Sequence, residues 1–189
     1  SLFNHNYDLA INANNVSSSG RLAVKISRSN YKFYNINNKE LSHIKDYNHH
    51  AKNAIYNFRY QLKNQIDRLN NTIPKLDIKL RDYEIENGEK LVKSMFNNSK
   101  PVISIFTFAT GDKCYSVDWW KNLYSKIKIL ENEYNILEIL PKENISQINF
   151  AAKSYYSTDI REIASIMYNS ILFIGADSGM MHLAHASNV

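Results

Sequence analysis

The stretch Ile171-Leu-Phe-Ile-Gly-Ala-Asp-Ser-Gly-Met-Met-His-Leu-Ala-His-Ala186 decides how this chain folds. An apolar run, Ile171 to Ile174, leads into a short turn of small and polar residues, and the turn leads directly into a helical pattern. In a parallel α/β sheet such a turn lies at the carboxyl end of a strand, where ligands bind. The first N–H groups of the helix and its positive dipole end then face an anion. The stretch predicts a parallel sheet with an anion-binding edge.

Three residues of this turn have chemistry that suits a phosphorylated sugar. Gly179 lets the backbone approach a phosphate closely, and the Ser178 hydroxyl can add a hydrogen bond. Asp177 cannot bind phosphate, so it would accept hydrogen bonds from sugar hydroxyls. The alternative is that Asp177 and Ser178 only cap the last helix. His182, one turn into that helix, can reach the ligand or bond a neighbouring carbonyl, and both interpretations stay open at this point.

Upstream of this stretch, short apolar runs alternate with helical periodicity, which is typical of βα units around a parallel sheet. The predicted strands of this region are Val102 to Phe108, Ile136 to Leu140 and Ile171 to Ile174. Helices are predicted over Tyr83 to Phe96, around Trp120 and from a capping start at Asp159. Since βα units of one hand bring all strand ends to one side, Lys113 and Asp177 are predicted at the same carboxyl edge.

Two segments are ambiguous. Arg21 to Ser27 fits a helix turn or a short strand. Pro141 to Ser157 carries both helical spacing and a strand-like run at Gln147 to Phe150. A parallel strand there, next to Ile136 to Leu140, would leave a connection shorter than the dozen residues that a crossover needs. A helix is therefore predicted for Pro141 to Ser157.

The first part of the chain holds its own elements. Tyr7 to Ala13 is predicted as a strand, and a helix from Ala51 carries its apolar residues at steps of three and four, at Ile55, Phe58, Leu62, Ile66 and Leu69. The run Asn70-Asn-Thr-Ile-Pro74 ends that helix, because proline cannot continue one. The predicted domains are residues 1–74 and 75–189.

Composition and charge narrow the classes of partner and location expected for the chain. The chain has 189 residues and a formal charge of +5, which favours anionic partners. Its basic residues are scattered rather than clustered, so no nucleic-acid partner is expected. A single Cys114 permits no internal disulfide, which suits a reducing compartment, and the apolar runs are too short to span a bilayer. The pair His49-His50 lacks ligands at metal spacing, so no metal site is expected.

The segments Ile160 to Met167 and Phe173 to Ala186 resemble the closing donor-site motif of the family-nine glycosyltransferases, the bacterial ADP-heptose:lipopolysaccharide heptosyltransferases. The match is specific at seven positions: Gly175, Asp177, Ser178, Gly179, His182, Leu183 and Ala184. A second segment, Pro101 to Lys113, is similar to that family's strand, small-residue turn and lysine before a helix.

The resemblance implies a GT-B fold, with parts of two Rossmann-like domains and parallel sheets. Residues 1–74 would be the carboxyl-terminal part of the acceptor-side domain, and residues 75–189 the first part of the nucleotide-sugar-binding domain. It also implies roles for four further residues. Lys113 would stabilise the leaving diphosphate, Thr107 and Thr110 would donate to phosphate oxygens, and Glu143 would bind donor hydroxyls.

The resemblance further implies a glycosyltransferase that uses a nucleotide-diphosphate sugar, with ADP-heptose as the example, and a lipopolysaccharide-type acceptor. No cofactor or metal is implied, and the expected location is cytoplasmic, with peripheral association at the inner face of the bacterial inner membrane. The family's base would precede this chain, so Asp8 and Asp46 are not assigned to that role, and the chain alone is expected to be inactive. The alternatives are a sugar-nucleotide epimerase of similar fold and a basic, non-catalytic anion-binding module.

Overall fold

The structure is a computed structural model that describes residues 4–62 and 72–189. The chain divides into two compact units, Ser1–Pro74 and Lys75–Val189, and each has parallel strands together with helices. The predicted α/β class is therefore confirmed. Within the described residues, no helix is long and apolar enough to cross a membrane.

The first unit contains a β-α-β arrangement followed by a further helix. Its elements are β1 (Tyr7–Ile11), α1 (Ser18–Ile26), β2 (Ser29–Phe33) and α2 (His50–Leu62). Strands β1 and β2 are parallel neighbours, so the segment that fitted either a helix turn or a strand is the crossover helix α1. The side chain of Ser17 caps that helix by accepting from the Gly20 N–H. Ile66, Leu69 and the residues Asn70 and Asn71 of the predicted stop lie outside the described residues.

Buried amide side chains join the strands of this unit to α2. Asn57 donates to Asn35 at 2.7 Å and accepts from the Tyr47 hydroxyl at 2.7 Å. Asn35 in turn donates to the carbonyl of Ala13, just beyond β1, at 2.6 Å. Because buried polar groups are costly unless they are paired, this chain of hydrogen bonds fixes how α2 packs against the strands.

The second unit is a four-stranded parallel sheet in the order β5-β4-β3-β6. Its elements are α3 (Asp82–Phe96), β3 (Val102–Phe106), α4 (Val117–Ile127), β4 (Asn135–Ile139), β5 (Lys153–Tyr155), α5 (Ile160–Tyr168), β6 (Leu172–Gly175) and α6 (Gly179–Ala186). The prediction that the three long apolar runs share one parallel sheet is confirmed.

Helices cover both faces of this sheet, because alternate residues of β3 and β4 point to opposite sides. On one face Phe106 and Leu137 pack with residues of α3, α5 and α6. On the other face Ile105 and Ile136 pack with α4 through Trp120. Both faces of β3 and β4 are buried, and this leaves only the strand ends for a ligand.

The helix predicted for Pro141 to Ser157 is wrong. The segment is a series of turns that ends in β5, which pairs in parallel with β4. Asn144, Asn149 and Phe150 adopt left-handed backbone conformations that an α-helix of L-residues excludes. The crossover objection does not apply to the real strand, because residues 140–152 separate it from β4 and supply the required length.

Candidate functional site

Two loops meet at the carboxyl edge of the second sheet. The first follows β3 and ends in a 3-10 turn at Gly111–Lys113, and the second joins β6 to α6. Strands β3 and β6 are neighbours, with Phe106 opposite Gly175, so their loops leave the sheet side by side. Lys113 and Asp177 therefore lie at the same edge, as the sequence predicts.

The two charged residues of these loops form an ion pair. Lys113 Nζ lies 2.6 Å from Asp177 Oδ2, and the side chains are 61% and 59% exposed. The hydrogen bond from the ammonium group, followed by its charge, lowers the pKa of the Asp177 carboxyl. Asp177 is therefore an ionised acceptor at neutral pH. Because exposed ion pairs contribute little to stability, a ligand can take over either partner at small cost.

Helix α6 begins beside this pair without a side-chain cap. Ser178 occupies the N-cap position, yet its side chain makes no capping hydrogen bond. Its Oγ atom is buried and has no hydrogen-bond partner in the part of the chain that the structure describes. The Ser178 side chain therefore does not cap the helix, and the Asp177 carboxylate accepts a hydrogen bond from Lys113. A Cβ added at Gly179 would meet no heavy atom within 4 Å, so the helix start is open to a ligand.

Two cavities share this helix start. The first, of about 490 Å³, is polar and is lined by Thr110, Asp112, Lys113, Asp177, Ser178, Gly179 and His182. The second, of about 910 Å³, shares Thr110, Ser178, Gly179 and His182 with the first, and much of the rest of its wall is apolar, including Phe106, Phe108, Leu140, Met180 and Leu183. A polar recess beside an apolar one suits a ligand with an anionic part and a flat or apolar part.

Six predicted residues line the first cavity, and Glu143 lies in the wall of the second. Thr107, the eighth predicted site residue, lines neither cavity. Its side chain is buried inside the sheet, where the hydroxyl donates to Glu138 Oε1 at 2.7 Å. This hydroxyl is engaged with the protein, so Thr107 is not included in the candidate site.

Glu138 is a buried acidic residue near the site that the sequence patterns did not predict. This residue is fully buried in β4 and accepts hydrogen bonds from the Thr107 and Ser146 hydroxyls at 2.7 Å each. Burial raises the pKa of its carboxyl, and the hydroxyl donors oppose that rise. An acidic residue inside the apolar run Ile136 to Leu140 is the signal that could have revealed it.

Within residues 4–62 and 72–189, no group of three or more His, Cys, Asp or Glu side chains could hold a metal ion. The side chains that line the two cavities include the Lys113 and Lys142 ammonium groups, the Thr110 and Ser178 hydroxyls and the Asp112, Asp177 and Glu143 carboxylates. Such groups hold a diphosphate and the hydroxyls of a sugar.

The family model for glycosyltransferase family 9 (heptosyltransferase) matches residues 1–189, and the chain belongs to that family. Among solved structures, the chain is similar to E. coli heptosyltransferase WaaC with ADP-2-deoxy-2-fluoro heptose. The TM-score is 0.63 at 13% identity, over 99% of this chain and 61% of that one. It is also similar to E. coli ADP-heptose lps heptosyltransferase II, with a TM-score of 0.57 at 11% identity, over 97% of this chain and 60% of that one.

A third similar structure is the family 9 glycosyl transferase from Veillonella parvula DSM 2008, with a TM-score of 0.58 at 15% identity, over 74% of this chain and 42% of that one. No curated protein matches the chain significantly. The chain spans about three fifths of the length of the two E. coli proteins. At these identities the likeness concerns the fold, and the predicted GT-B type of α/β fold is confirmed.

Proposed function

We propose that the second unit binds the donor of a glycosyltransferase that moves a sugar from a nucleotide-diphosphate sugar to an acceptor. The observation that carries this proposal is the Lys113–Asp177 pair in the wall of the polar cavity, beside the uncapped start of α6 that both cavities share. Family membership supports the reaction class. ADP-heptose is the donor we favour, since one similar E. coli protein is an ADP-heptose lps heptosyltransferase and the other contains ADP-2-deoxy-2-fluoro heptose.

In this proposal the diphosphate occupies the polar cavity. Departure of a nucleoside diphosphate develops negative charge on a phosphate oxygen, and a fixed cation stabilises that charge more than water does. Lys113 supplies the cation, while the first N–H groups of α6 and the Thr110 and Ser178 hydroxyls supply hydrogen bonds. The Ser178 Oγ atom is buried and has no partner in the described residues, so its side chain turns toward the cavity when it contacts the ligand.

The sugar hydroxyls are assigned to the carboxylates. When phosphate takes over the Lys113 ammonium, Asp177 is released to accept hydrogen bonds from the sugar. Glu143 and His182, which line the larger cavity, are assigned to the same task. The apolar part of that cavity holds the rest of the nucleotide.

The remaining assignments follow the family. The first unit, residues 1–74, belongs to the acceptor side, and the acceptor is a lipopolysaccharide-type glycan. The reaction takes place in the cytoplasm, at the inner face of the bacterial inner membrane, where the enzyme associates peripherally. The charge of +5 favours attraction to anionic phosphates in both substrates and membrane.

Titration of the chain with ADP and with ADP-heptose, at low and at physiological salt, tests this proposal. The expected result is saturable binding at one site that survives about 0.15 M salt, where the screening length is about 8 Å. Heparin, a polyanion without a nucleotide, serves as the control. Binding of heparin and ADP with the same steep salt dependence and no saturation would instead support a basic anion-binding module.

A further inference from the structure

The buried Glu138 carboxylate receives two hydroxyls from two different segments. Thr107 Oγ1 donates to Oε1 from the end of β3, and Ser146 Oγ donates to Oε2 from the segment between β4 and β5, each at 2.7 Å. Both carboxylate oxygens are thus used by the protein. Glu138 itself is fully buried and lines neither cavity at the sheet edge.

The two hydroxyls also accept hydrogen bonds from backbone N–H groups. Thr107 Oγ1 accepts from the Gln147 N–H at 3.2 Å. Ser146 Oγ accepts from the N–H groups of Ile148 at 3.2 Å and Phe150 at 2.9 Å. Three backbone N–H groups thus donate to the two hydroxyls, and both hydroxyls donate to the Glu138 carboxylate. Such chains polarise each bond and strengthen the whole.

The segment held in this way has a strained backbone. Asn149 and Phe150 have φ values of 55° and 56°, in the left-handed region that side chains with a Cβ rarely adopt. Strained residues of this kind persist only where the surrounding contacts over-determine them. The hydrogen bonds that end on Glu138 supply those contacts.

Both segments continue into the wall of the larger cavity. Thr107 is followed by Phe108, Ala109 and Thr110, and Ser146 lies three residues after Glu143. We infer that Glu138 is a positioning residue. It fixes the loop after β3 and the loop after β4, which both line the proposed donor cavity. This inference rests on the proposed function, because it takes the cavity to be the donor site.

A carboxylate suits this position better than an amide. Each hydroxyl already accepts an N–H, so each must give its own proton to residue 138. A carboxylate accepts both protons, whereas glutamine offers one oxygen acceptor and a donor NH₂ group in place of the other. Glu138→Gln therefore breaks one arm of the network while it keeps the size of the side chain.

The test compares Glu138→Gln with Asn135→Ala in calorimetric titrations with ADP. Asn135 is a matched control, because it is buried on the same strand and hydrogen-bonded to Asn98 and Lys100, but at the opposite edge of the sheet. We expect Glu138→Gln to weaken ADP binding about tenfold, since small misplacements of a binding group are costly. Asn135→Ala is expected to keep wild-type affinity even where it lowers the melting temperature.

Conservative variants separate positioning from general stability. Thr107→Ser keeps the hydroxyl and should bind ADP as the wild type does, whereas Thr107→Val should match Glu138→Gln. The double variant Glu138→Gln/Thr107→Val should bind ADP no more weakly than either single variant, because both substitutions break the same network. Equal affinities of Glu138→Gln and wild type, or equal losses in Glu138→Gln and Asn135→Ala, would overturn the inference.

A second measurement does not depend on the ligand. Hydrogen exchange of the Gln147, Ile148 and Phe150 amides should be faster in Glu138→Gln than in wild type, while amides of α3 are unchanged. If wild type fails to bind ADP, the proposed function is overturned, and these exchange rates then decide the role of Glu138 by themselves. Faster exchange supports the positioning network, and unchanged exchange overturns it.

Discussion

Lys113 Nζ lies 2.6 Å from Asp177 Oδ2, although 64 residues separate the two in sequence. The contact exists because β3 and β6 are parallel neighbours whose loops emerge at one edge. It also means that the cation proposed to hold the leaving diphosphate already has an anionic partner in the free protein. Donor binding is then an exchange, in which phosphate replaces Asp177 on the ammonium group.

Asp177→Asn should therefore raise the affinity for ADP, because phosphate no longer competes with a carboxylate for Lys113. The expected gain is roughly two- to fivefold, in keeping with the small contribution of exposed ion pairs. Calorimetric titration at physiological salt measures it. Asp112→Asn, which removes a carboxylate from the same cavity, controls for the change in charge. A loss of ADP affinity in Asp177→Asn would show that Asp177 binds the nucleotide itself.

Gly88→Ala should destabilise the second unit, because a Cβ there would lie 2.6 Å from the backbone oxygen of Ser165. Overpacking of this kind costs about 1 to 3 kcal/mol. Thermal unfolding should show a melting temperature several degrees below that of wild type. An unchanged melting temperature would contradict the close packing of α3 on α5.

Gly179→Ala should weaken ADP binding without lowering the melting temperature. A Cβ at this position meets no heavy atom within 4 Å, so the melting temperature should stay at the wild-type value or rise. The methyl group would project where backbone and phosphate are proposed to meet, so ADP binding should weaken. The same titration and melting curve, run side by side, separate the two effects. Wild-type ADP affinity in this variant would place the phosphate elsewhere.

Acid should destabilise the second unit through Glu84. Arg161 donates to both carboxylate oxygens of Glu84 and to the carbonyls of Ile78 and Lys79, which joins α5 to α3 and to the segment before it. The hydrogen bond from Arg161 lowers the pKa of Glu84 from 4.5 to about 2. Since the folded pKa lies below the unfolded value, this stabilisation is complete above about pH 4.5 and is lost as the pH falls toward 2.

Melting temperatures measured from pH 6 to pH 2 check this expectation. Glu84→Gln should lower the melting temperature at neutral pH and flatten its decline in acid. Glu89→Gln removes an exposed ion pair with Lys93 on the same helix and should keep the wild-type slope. A wild-type slope in Glu84→Gln would assign the acid sensitivity to other carboxyls.

The sequence was sufficient where the pattern was long and local. The helix over Tyr83 to Phe96 and the capping start at Asp159 were predicted correctly, since their apolar spacing and cap residue lie within the element itself. The strand β2, by contrast, was missed, because Ser29–Phe33 holds few apolar residues and is stabilised by pairing with β1. Likewise β5 has three residues, and its pairing with β4 overrides the helical spacing of Pro141 to Ser157.

The candidate site likewise has parts that the sequence predicted and a part that it did not. A motif at the end of one strand predicted the residues of the helix start, and the parallel topology predicted that Lys113 would join them. The direction of the Thr107 side chain could not be predicted, because β3 is buried on both faces and has no polar face to orient it. Only the register of β3 against β4, which pairs Ile105 with Glu138, shows that Thr107 points toward the buried carboxylate.

Lys113 is the residue through which this sheet edge is proposed to hold a nucleoside diphosphate. Calorimetric titration with ADP of Lys113→Ala and Lys126→Ala, at about 0.15 M salt, tests this role most directly. Both variants remove one positive charge, but Lys126 is an exposed residue of α4 that does not line either cavity. The affinity for ADP is expected to fall roughly ten- to a hundredfold in Lys113→Ala, as charge-assisted contacts to phosphate require, and to stay unchanged in Lys126→Ala. Equal losses in the two variants would contradict this role, because the ligand would then be attracted by net charge and not by a built site.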